Sequence, residues 1–286
     1  MSQRTSPAGE SGPVWPAPAK INLFLHVLGR REDGYHDLQT AFQFLDFGDE
    51  LTFAPRADGE IRRRGGIPGL EESADMVVRA ARLLRSAVGA GQGADIRLAK
   101  RIPVGGGLGG GSSDAATTLV ALNSLWRGGL DVDALAALGA RLGADVPVFV
   151  RGRSAWAEGI GERLTPVDFP ERWFLVVHPG VSVPTSEIFR APELTRNSTP
   201  ITIPRFLSGG GRNDCTRAVR TRYPEVGRAL DWLSGFGEAR MTGTGACVFA
   251  SFDDAERART VLGKLPAGWR GFVARGLNRS PLLDRV

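Results

Sequence analysis

Ile21, Leu23, Leu25 and Val27 alternate with Lys20, Asn22, Phe24 and His26, and a period of two predicts a β-strand with one core-facing side. Gly29 to Gly34 carries turn chemistry, and a second β-like run, Leu38 to Leu45, follows it, so the pair predicts a hairpin. Residues 75–88 change to helical spacing, with Val77, Ala81 and Leu84 on one stripe. Ala94 to Ala99 reads as a strand leading to Pro103. Beyond a glycine-rich segment, a helix over about 114–126 turns Ala115, Leu119 and Leu122 inward, with Ser112 or Ser113 as its N-cap. A further helix over about 131–142 ends at Gly143, a residue type suited to a C-cap.

The texture changes near residue 165, where Pro166 and Pro170 bracket a short linker. Phe174 to Val177 is a buried-type strand, helices are predicted at about 214–222, 224–234 and 253–263, and a last strand covers about 270–275. Strands and helices alternate on both sides of the linker, which predicts two domains of α/β or α+β type. The expected organisation is a flexible tail over 1–15, an N-terminal domain over 16–165 and a C-terminal domain over 166–286. The polar stretch Met1 to Pro18, rich in Pro, Gly and Ser, lacks the apolar core of a signal peptide and reads as loose chain.

Composition narrows the class. The 286 residues are 42% hydrophobic and 23% charged, ordinary globular usage. No apolar run approaches the ~20 residues of a membrane-spanning helix. Cys215 and Cys247 are too few for a disulfide framework and suit a reducing, cytoplasmic compartment. The net charge of +5 raises the question of nucleic acid, but the arginines are scattered, and the tightest cluster, Arg62 to Arg64, falls in a Gly/Pro-rich loop. Attraction for a polyanionic small molecule suits that pattern better. The expected partners are therefore small-molecule substrates, with neither nucleic acid nor membrane. Only three of the 36 basic residues are lysines, Lys20, Lys100 and Lys264, so each invites inspection.

Six of the seven residues from Gly105 to Gly111 are glycine, a backbone suited to unusual dihedrals and close approach. A helix N-terminus directly behind such a loop offers free N–H groups and a positive dipole, so the segment reads as a phosphate cradle. Gly105-x-Gly107-x-x-Gly110 satisfies the dinucleotide fingerprint on paper, but it lies late for a first βαβ unit. The phosphate-loop alternative needs a lysine after the last glycine, where Ser112 and Ser113 stand. On residue type alone, Asp145 N-caps a short helix with Pro147 in its first turn, and Lys20 at a strand start faces solvent. Tyr35 and His36 suit ordinary hairpin packing, though their faces could stack on a pyrimidine. Gly243-Thr244-Gly245 is a tight turn at a domain interface or a brace for the cradle. With no histidine nearby in sequence, Cys247 reads as a small buried hydrophobe, and His178 is taken as structural.

These segments together resemble the GHMP kinases, the family of galactokinase, homoserine kinase, mevalonate kinase and phosphomevalonate kinase. Pro103 to Ser113 resembles that family's phosphate-binding motif, Pro18 to Leu23 its first motif, and Thr242 to Cys247 its third, glycine-rich one. Gly34 to Thr40, Leu142 to Phe149 and His178-Pro179-Gly180 look like one branch of it, whose members use ATP to phosphorylate the 2-hydroxyl of a cytidine-diphosphate-linked methylerythritol in the non-mevalonate isoprenoid pathway. The resemblance implies an α+β, two-domain architecture: an N-terminal α/β nucleotide-binding domain, a C-terminal ferredoxin-like α/β sandwich, and an active site in the cleft between them.

It implies that Asp145 is the general base, while Lys20 keeps that carboxylate ionised and stabilises developing charge. The ATP phosphates are expected on Lys100, Pro103, Val104, Gly105, Gly106, Gly107, Leu108, Gly109, Gly110, Gly111, Ser112 and Ser113. The cytidine substrate is expected on Asn22, Tyr35, His36, Thr185, Phe189, Gly243, Thr244 and Gly245. Mg2+ is expected with ATP, its ligands unassigned beyond Asp145 or Ser113 as candidates. Asp75 stands where the family usually carries an asparagine near the adenine, and a carboxylate lacks the amide donor. The expected assembly is a monomer or weak homodimer. Two alternatives stay open: another GHMP small-molecule kinase of mevalonate or homoserine type, and a nucleotide-binding regulator without catalysis.

Overall fold

Trp15–Arg30 (β1) and His36–Arg56 (β2) form a long antiparallel hairpin whose register shifts between Pro18 and Lys20, Asn22 and Phe24, and Val27 and Gly29. The computed structural model describes residues 12–285, so most of the expected tail lies outside the described residues. The strand nonetheless begins inside the stretch read as loose chain. Trp15 and Ala17 are buried in the core, and Trp15 packs edge-on against Phe53 with ring centroids 6.4 Å apart.

The chain then runs through Ile61–Gly65 (β3), Met76–Val88 (α1), Gly93–Ala99 (β4), Gly110–Leu125 (α2), Val132–Ala140 (α3), Val146–Arg151 (α4), Ala155–Gly159 (β5) and Arg163–Pro166 (β6). Trp173–His178 (β7), Thr185–Arg190 (α5), Ile203–Leu207 (α6), Thr216–Arg222 (α7) and Pro224–Ser234 (α8) follow. Ala239–Met241 (β8), Val248–Phe252 (β9), Ala255–Leu262 (α9), Arg270–Leu277 (β10) and a 3-10 turn at Pro281–Arg285 complete it. The strands run in the order β3-β4-β2-β10-β7-β9-β8, with β1 and β5 also paired to β2, and β6 to β5. Among these strands only β3 and β4 pair in parallel.

One core packs Phe44, Phe53, Ile96 and Leu98 of the N-terminal sheet beneath Val77, Ala81 and Leu84 of α1 and Ala115, Leu119 and Leu122 of α2. A second joins β7 and β9 to α7, α8 and α9, and takes in Leu25 and Val27 from β1. Between them lies a smaller seam core of Ile21, Leu45, Ile102, Leu108, Val176, Cys247 and Phe249. The last residues of β10 cross to β2, pairing Gly276 with Leu45 and Leu277 with Phe44, and Leu282 enters the first core. The expected boundary near 165 is therefore crossed in both directions by the chain's two ends. No helix among the described residues is long and apolar enough to cross a membrane.

Three local expectations change. The Arg62–Arg64 loop is strand β3, an edge strand in which only Ile61 is buried, so it lacks the apolar alternation that marks a strand. Helix α2 starts at Gly110, not near 114, and its N-cap is Gly109 in the left-handed region; Ser112 and Ser113 lie inside the first turn. Helix α3 ends at Ala140 with Arg141 as its C-cap, ahead of Gly143.

Candidate active site

The glycine loop joins β4 to α2 and is pinned at many points. Leu108 plugs the seam core, a burial of about 1.5–3 kcal/mol. Its carbonyl accepts from Lys20 N at 3.0 Å, which ties the loop to β1. The second glycine segment, between β8 and β9, grips the other side: Ala246 N donates to Gly105 O and Cys247 N to Gly106 O, each at 3.1 Å. Gly107 has φ +73°, and a Cβ there would overlap the Thr242 carbonyl oxygen. Only glycine fits that approach. The loop delivers the chain to the start of α2, whose first N–H groups have no intrahelical acceptors and so suit an anion.

A buried cluster supports this segment. Lys100 Nζ donates to Asp49 at 2.6 Å and to Asp114 at 2.7 Å, and Asp49 also accepts from Ile102 N at 2.8 Å. The two ends of the loop are thereby tied to β2. Burial pushes the Asp114 carboxyl up to about 7, Lys100 opposes the shift, and Asp49 adds to it. Lys100 borders the cleft, but its ammonium already serves two carboxylates.

Lys20 stands on β1 beneath the loop, with its side chain only 4% exposed. Its ammonium donates to Asn22 Oδ1 at 2.6 Å and Gly107 O at 3.1 Å, lies 3.3 Å from Asp145 Oδ2, and faces the Phe42 ring at 5.2 Å. Asn22 is held in turn: its Nδ2 donates to Thr40 Oγ1 at 2.9 Å, and Thr40 Oγ1 donates onward to Phe24 O. Asn22 N donates to Thr242 Oγ1 at 2.9 Å, which links the pair to the second glycine segment. Asp145 occupies the N-cap of α4, yet its side chain makes no capping hydrogen bond and is 34% exposed. Its carboxylate is thus left to Lys20 and the cleft.

These groups face one cleft of about 620 Å³. Lys20, Asn22, Lys100, Pro103 to Ser112, Asp145, Thr185, Phe189, Gly243 and Thr244 line it together. Thr185 Oγ1 and Thr244 Oγ1 are 3.0 Å apart, which ties the start of α5 to the second glycine segment. Four expected residues stand elsewhere. Ser113 is buried behind the loop, with Oγ lacking a protein partner. Gly245 lies behind Gly107. Tyr35 is 60% exposed at the hairpin turn, and buried His36 stacks on Phe189 with centroids 5.2 Å apart.

Asp75 also lines the cleft. Its carboxylate caps α1, accepting from Val77 N at 2.9 Å, and is ion-paired with Arg63 of β3. Sequence reasoning missed Thr40, Phe42, Ile160 and the Ile67–Leu70 turn on the cleft wall. Thr40 could have been found, since it closes the Gly34–Thr40 motif; the others carry no local signal. It also missed Asn213, whose Nδ2 donates to Met241 O and Gly243 O at 2.8 Å and shapes the second glycine segment. Cys247 is fully buried, which holds its thiol well above the usual range and fits a packing role. Among the described residues no group of three or more His, Cys, Asp or Glu is placed to hold a metal ion.

Residues 75–153 match the GHMP kinases N terminal domain, and residues 194–271 the GHMP kinases C terminal domain. The chain is 63% identical over 272 residues to a 4-diphosphocytidyl-2-C-methyl-D-erythritol kinase of Alkalilimnicola ehrlichii, covering 95% of this chain and 94% of that protein. It is 60% identical over 267 residues to a kinase of the same name from Pseudomonas aeruginosa, covering 93% and 95%. A crystal structure of 4-(cytidine 5'-diphospho)-2C-methyl-D-erythritol kinase superposes with a TM-score of 0.82 at 35% identity, over 92% of this chain and 98% of that one. The Methanococcus jannaschii mevalonate kinase shares the fold at 18% identity, with a TM-score of 0.69 over 95% of this chain and 100% of that one.

Proposed function

The chain belongs to the GHMP kinases, in the branch of the 4-diphosphocytidyl-2-C-methyl-D-erythritol kinases, and from that membership we propose that it transfers the γ-phosphoryl group of ATP to the 2-hydroxyl of 4-diphosphocytidyl-2-C-methyl-D-erythritol. The products are ADP and the 2-phosphorylated alcohol, as the non-mevalonate isoprenoid pathway requires. The observation that carries the residue assignment is the Lys20–Asp145 pair, 3.3 Å apart beside the glycine loop, with the Asp145 carboxylate free of any capping bond.

Phosphoryl transfer needs alignment and charge neutralisation more than covalent chemistry. The α2 N-terminus and the loop N–H groups hold the ATP phosphates. Asp145 accepts the hydroxyl proton as the oxygen attacks, and Lys20, 3.3 Å from that carboxylate, orients it and faces the transferring group. Asn22, Thr185, Phe189, Gly243 and Thr244 receive the cytidine substrate. Mg2+ suits oxygen ligands drawn mostly from the nucleotide's phosphates, with one or two protein groups. The partly exposed Asp145 carboxylate faces the cleft and fits that requirement, so it would hold the ion, whereas Ser113 Oγ, buried behind the loop, does not reach the cleft. When bound, the ion neutralises phosphate charge. Two free, buried cysteines and the need for ATP support a cytoplasmic setting.

The test is ADP release by the purified protein with the cytidine substrate, mevalonate and homoserine in parallel. Turnover with the cytidine substrate alone, inhibited competitively by cytidine nucleotides, is expected. Equal turnover of mevalonate or homoserine would overturn the substrate assignment.

A further inference from the structure

Arg196, on the loop after α5, makes four hydrogen bonds to neutral acceptors. Its Nε donates to His36 Nε2 at 3.2 Å, Nη1 to Leu194 O at 3.3 Å, and Nη2 to Phe189 O and Ala191 O at 2.9 and 2.8 Å. A guanidinium has donors only, so His36 Nε2 must present its lone pair, and the ring is neutral with its proton on Nδ1. That ring stacks on Phe189 at an interplanar angle of 28°. Phe189 lines the cleft, whereas His36 supports it from the start of β2. A planar fork can serve all four acceptors at once; an ammonium cannot.

We propose that Arg196 is a positioning residue for the cytidine substrate: it locks His36 as the Nδ1–H tautomer and clasps the carbonyl end of α5, which together fix the Phe189 wall of the base pocket. The proposal builds on the assignment of Phe189 to that pocket. The charges facing the imidazole are Arg196 and, from the end of β1, Arg30; burial, then these two cations, hold its pKa below the ordinary histidine value. The wall therefore stays assembled at neutral pH. Protonation at low pH would remove the Nε2 acceptor and set a third cation against the other two.

The test combines steady-state kinetics with imidazole 15N shifts on wild type, Arg196→Met, Arg196→Lys and Phe189→Ala. With three histidines in the chain, His36→Gln assigns the ring resonances by difference. Arg196→Met is expected to raise the KM for the cytidine substrate by a factor of about 5–10, comparable to losing an aromatic contact. The KM for ATP and kcat should stay within about twofold, and the His36 shifts should move away from a pure Nδ1–H tautomer. Arg196→Lys keeps the charge without the fork, so it should fold and show an intermediate KM; it carries the test if the methionine variant does not fold. Wild-type His36 shifts in either variant, or cytidine and ATP KM values rising together, would overturn the proposal. An unaltered cytidine KM in Phe189→Ala would instead refute the pocket assignment, while the ring shifts still decide what Arg196 does to His36.

Discussion

Replacing Gly107 by alanine adds one carbon at the tightest point between the two glycine segments. The backbone there has φ +73°, which costs a side-chain-bearing residue about 1–2 kcal/mol by itself. The new Cβ would overlap the Thr242 carbonyl oxygen and stand 2.9 Å from that of Gly245. Both are main-chain atoms, and Asn213 holds the neighbouring carbonyls of Met241 and Gly243, so they cannot swing aside as a side chain would. The loop must retreat instead, stretching the bonds that Gly107 O accepts from Lys20 Nζ and Thr242 Oγ1, both 3.1 Å long. Two weakened hydrogen bonds add roughly 2 kcal/mol to the backbone strain. If about half of that total falls on the ATP-competent shape, the Kd for ATP rises roughly 10–30-fold. Calorimetric titration with a non-hydrolysable ATP analogue measures this directly. Gly91→Ala, with open space around its Cβ and no left-handed backbone, serves as the control for a generic glycine effect. An affinity within twofold of wild type in Gly107→Ala would refute the close-approach reasoning.

Asp145→Asn should lower turnover ~10²–10⁴-fold while leaving the melting temperature nearly unchanged, because the side chain caps nothing in α4; retention of more than half the activity would remove the base assignment. Lys20→Met keeps the apolar stem and loses the charge beside Asp145, so kcat should fall far more than the KM for ATP rises; loss of the bond to Gly107 O limits that rise to about fivefold, and normal turnover at saturation would contradict the assignment. Asp114 binds a proton more readily in the folded state, with its pKa raised from 3.8 to about 7, so its contribution to stability is complete below the unfolded value and is lost as pH rises through about 7. Asp114→Asn removes that titration. Its melting temperature should fall less than wild type's between pH 6 and pH 8, and parallel curves for the two proteins would rule the shift out.

The hairpin, α1 and β4 are legible because one face of each is apolar at a regular period, and β7 because a short continuous apolar run marks a strand buried on both faces. The β3 strand was not, since Arg62, Arg63 and Arg64 on an edge give no alternation to read. The helix behind the loop is legible too, but it begins at Gly110, earlier than its sequence pattern predicts. Glycine at positions 110 and 111 argues against helix by propensity, and the tertiary grip on Leu108 and Gly109 overrides that preference. In the site, motifs revealed Lys20, Asn22, the glycine loop, Asp145 and the second glycine segment. Arg196, Asn213 and Asp49 stayed hidden because each acts through partners far away in sequence: His36, Gly243 and Lys100.

That division follows the way the cleft is built. Its floor consists of β1, the glycine loop and the second glycine segment, which meet over the seam core and exchange main-chain hydrogen bonds at Leu108, Gly105 and Gly106. Because those bonds come from backbone atoms, the floor needs particular residues only where a side chain would obstruct, as at Gly107, or where charge is required, as at Lys20 and Asp145. Such needs leave short, dense motifs. The wall is different: Phe189 projects from a six-residue helix that is fixed at one end by the Thr185–Thr244 hydroxyl contact and at the other by the Arg196 guanidinium. A helix that short has little stability of its own, so its orientation depends on these outside contacts. On the proposed assignment, changes in the wall contacts would retune recognition of the cytidine end of the substrate, whereas changes in the floor would act on the phosphoryl transfer itself.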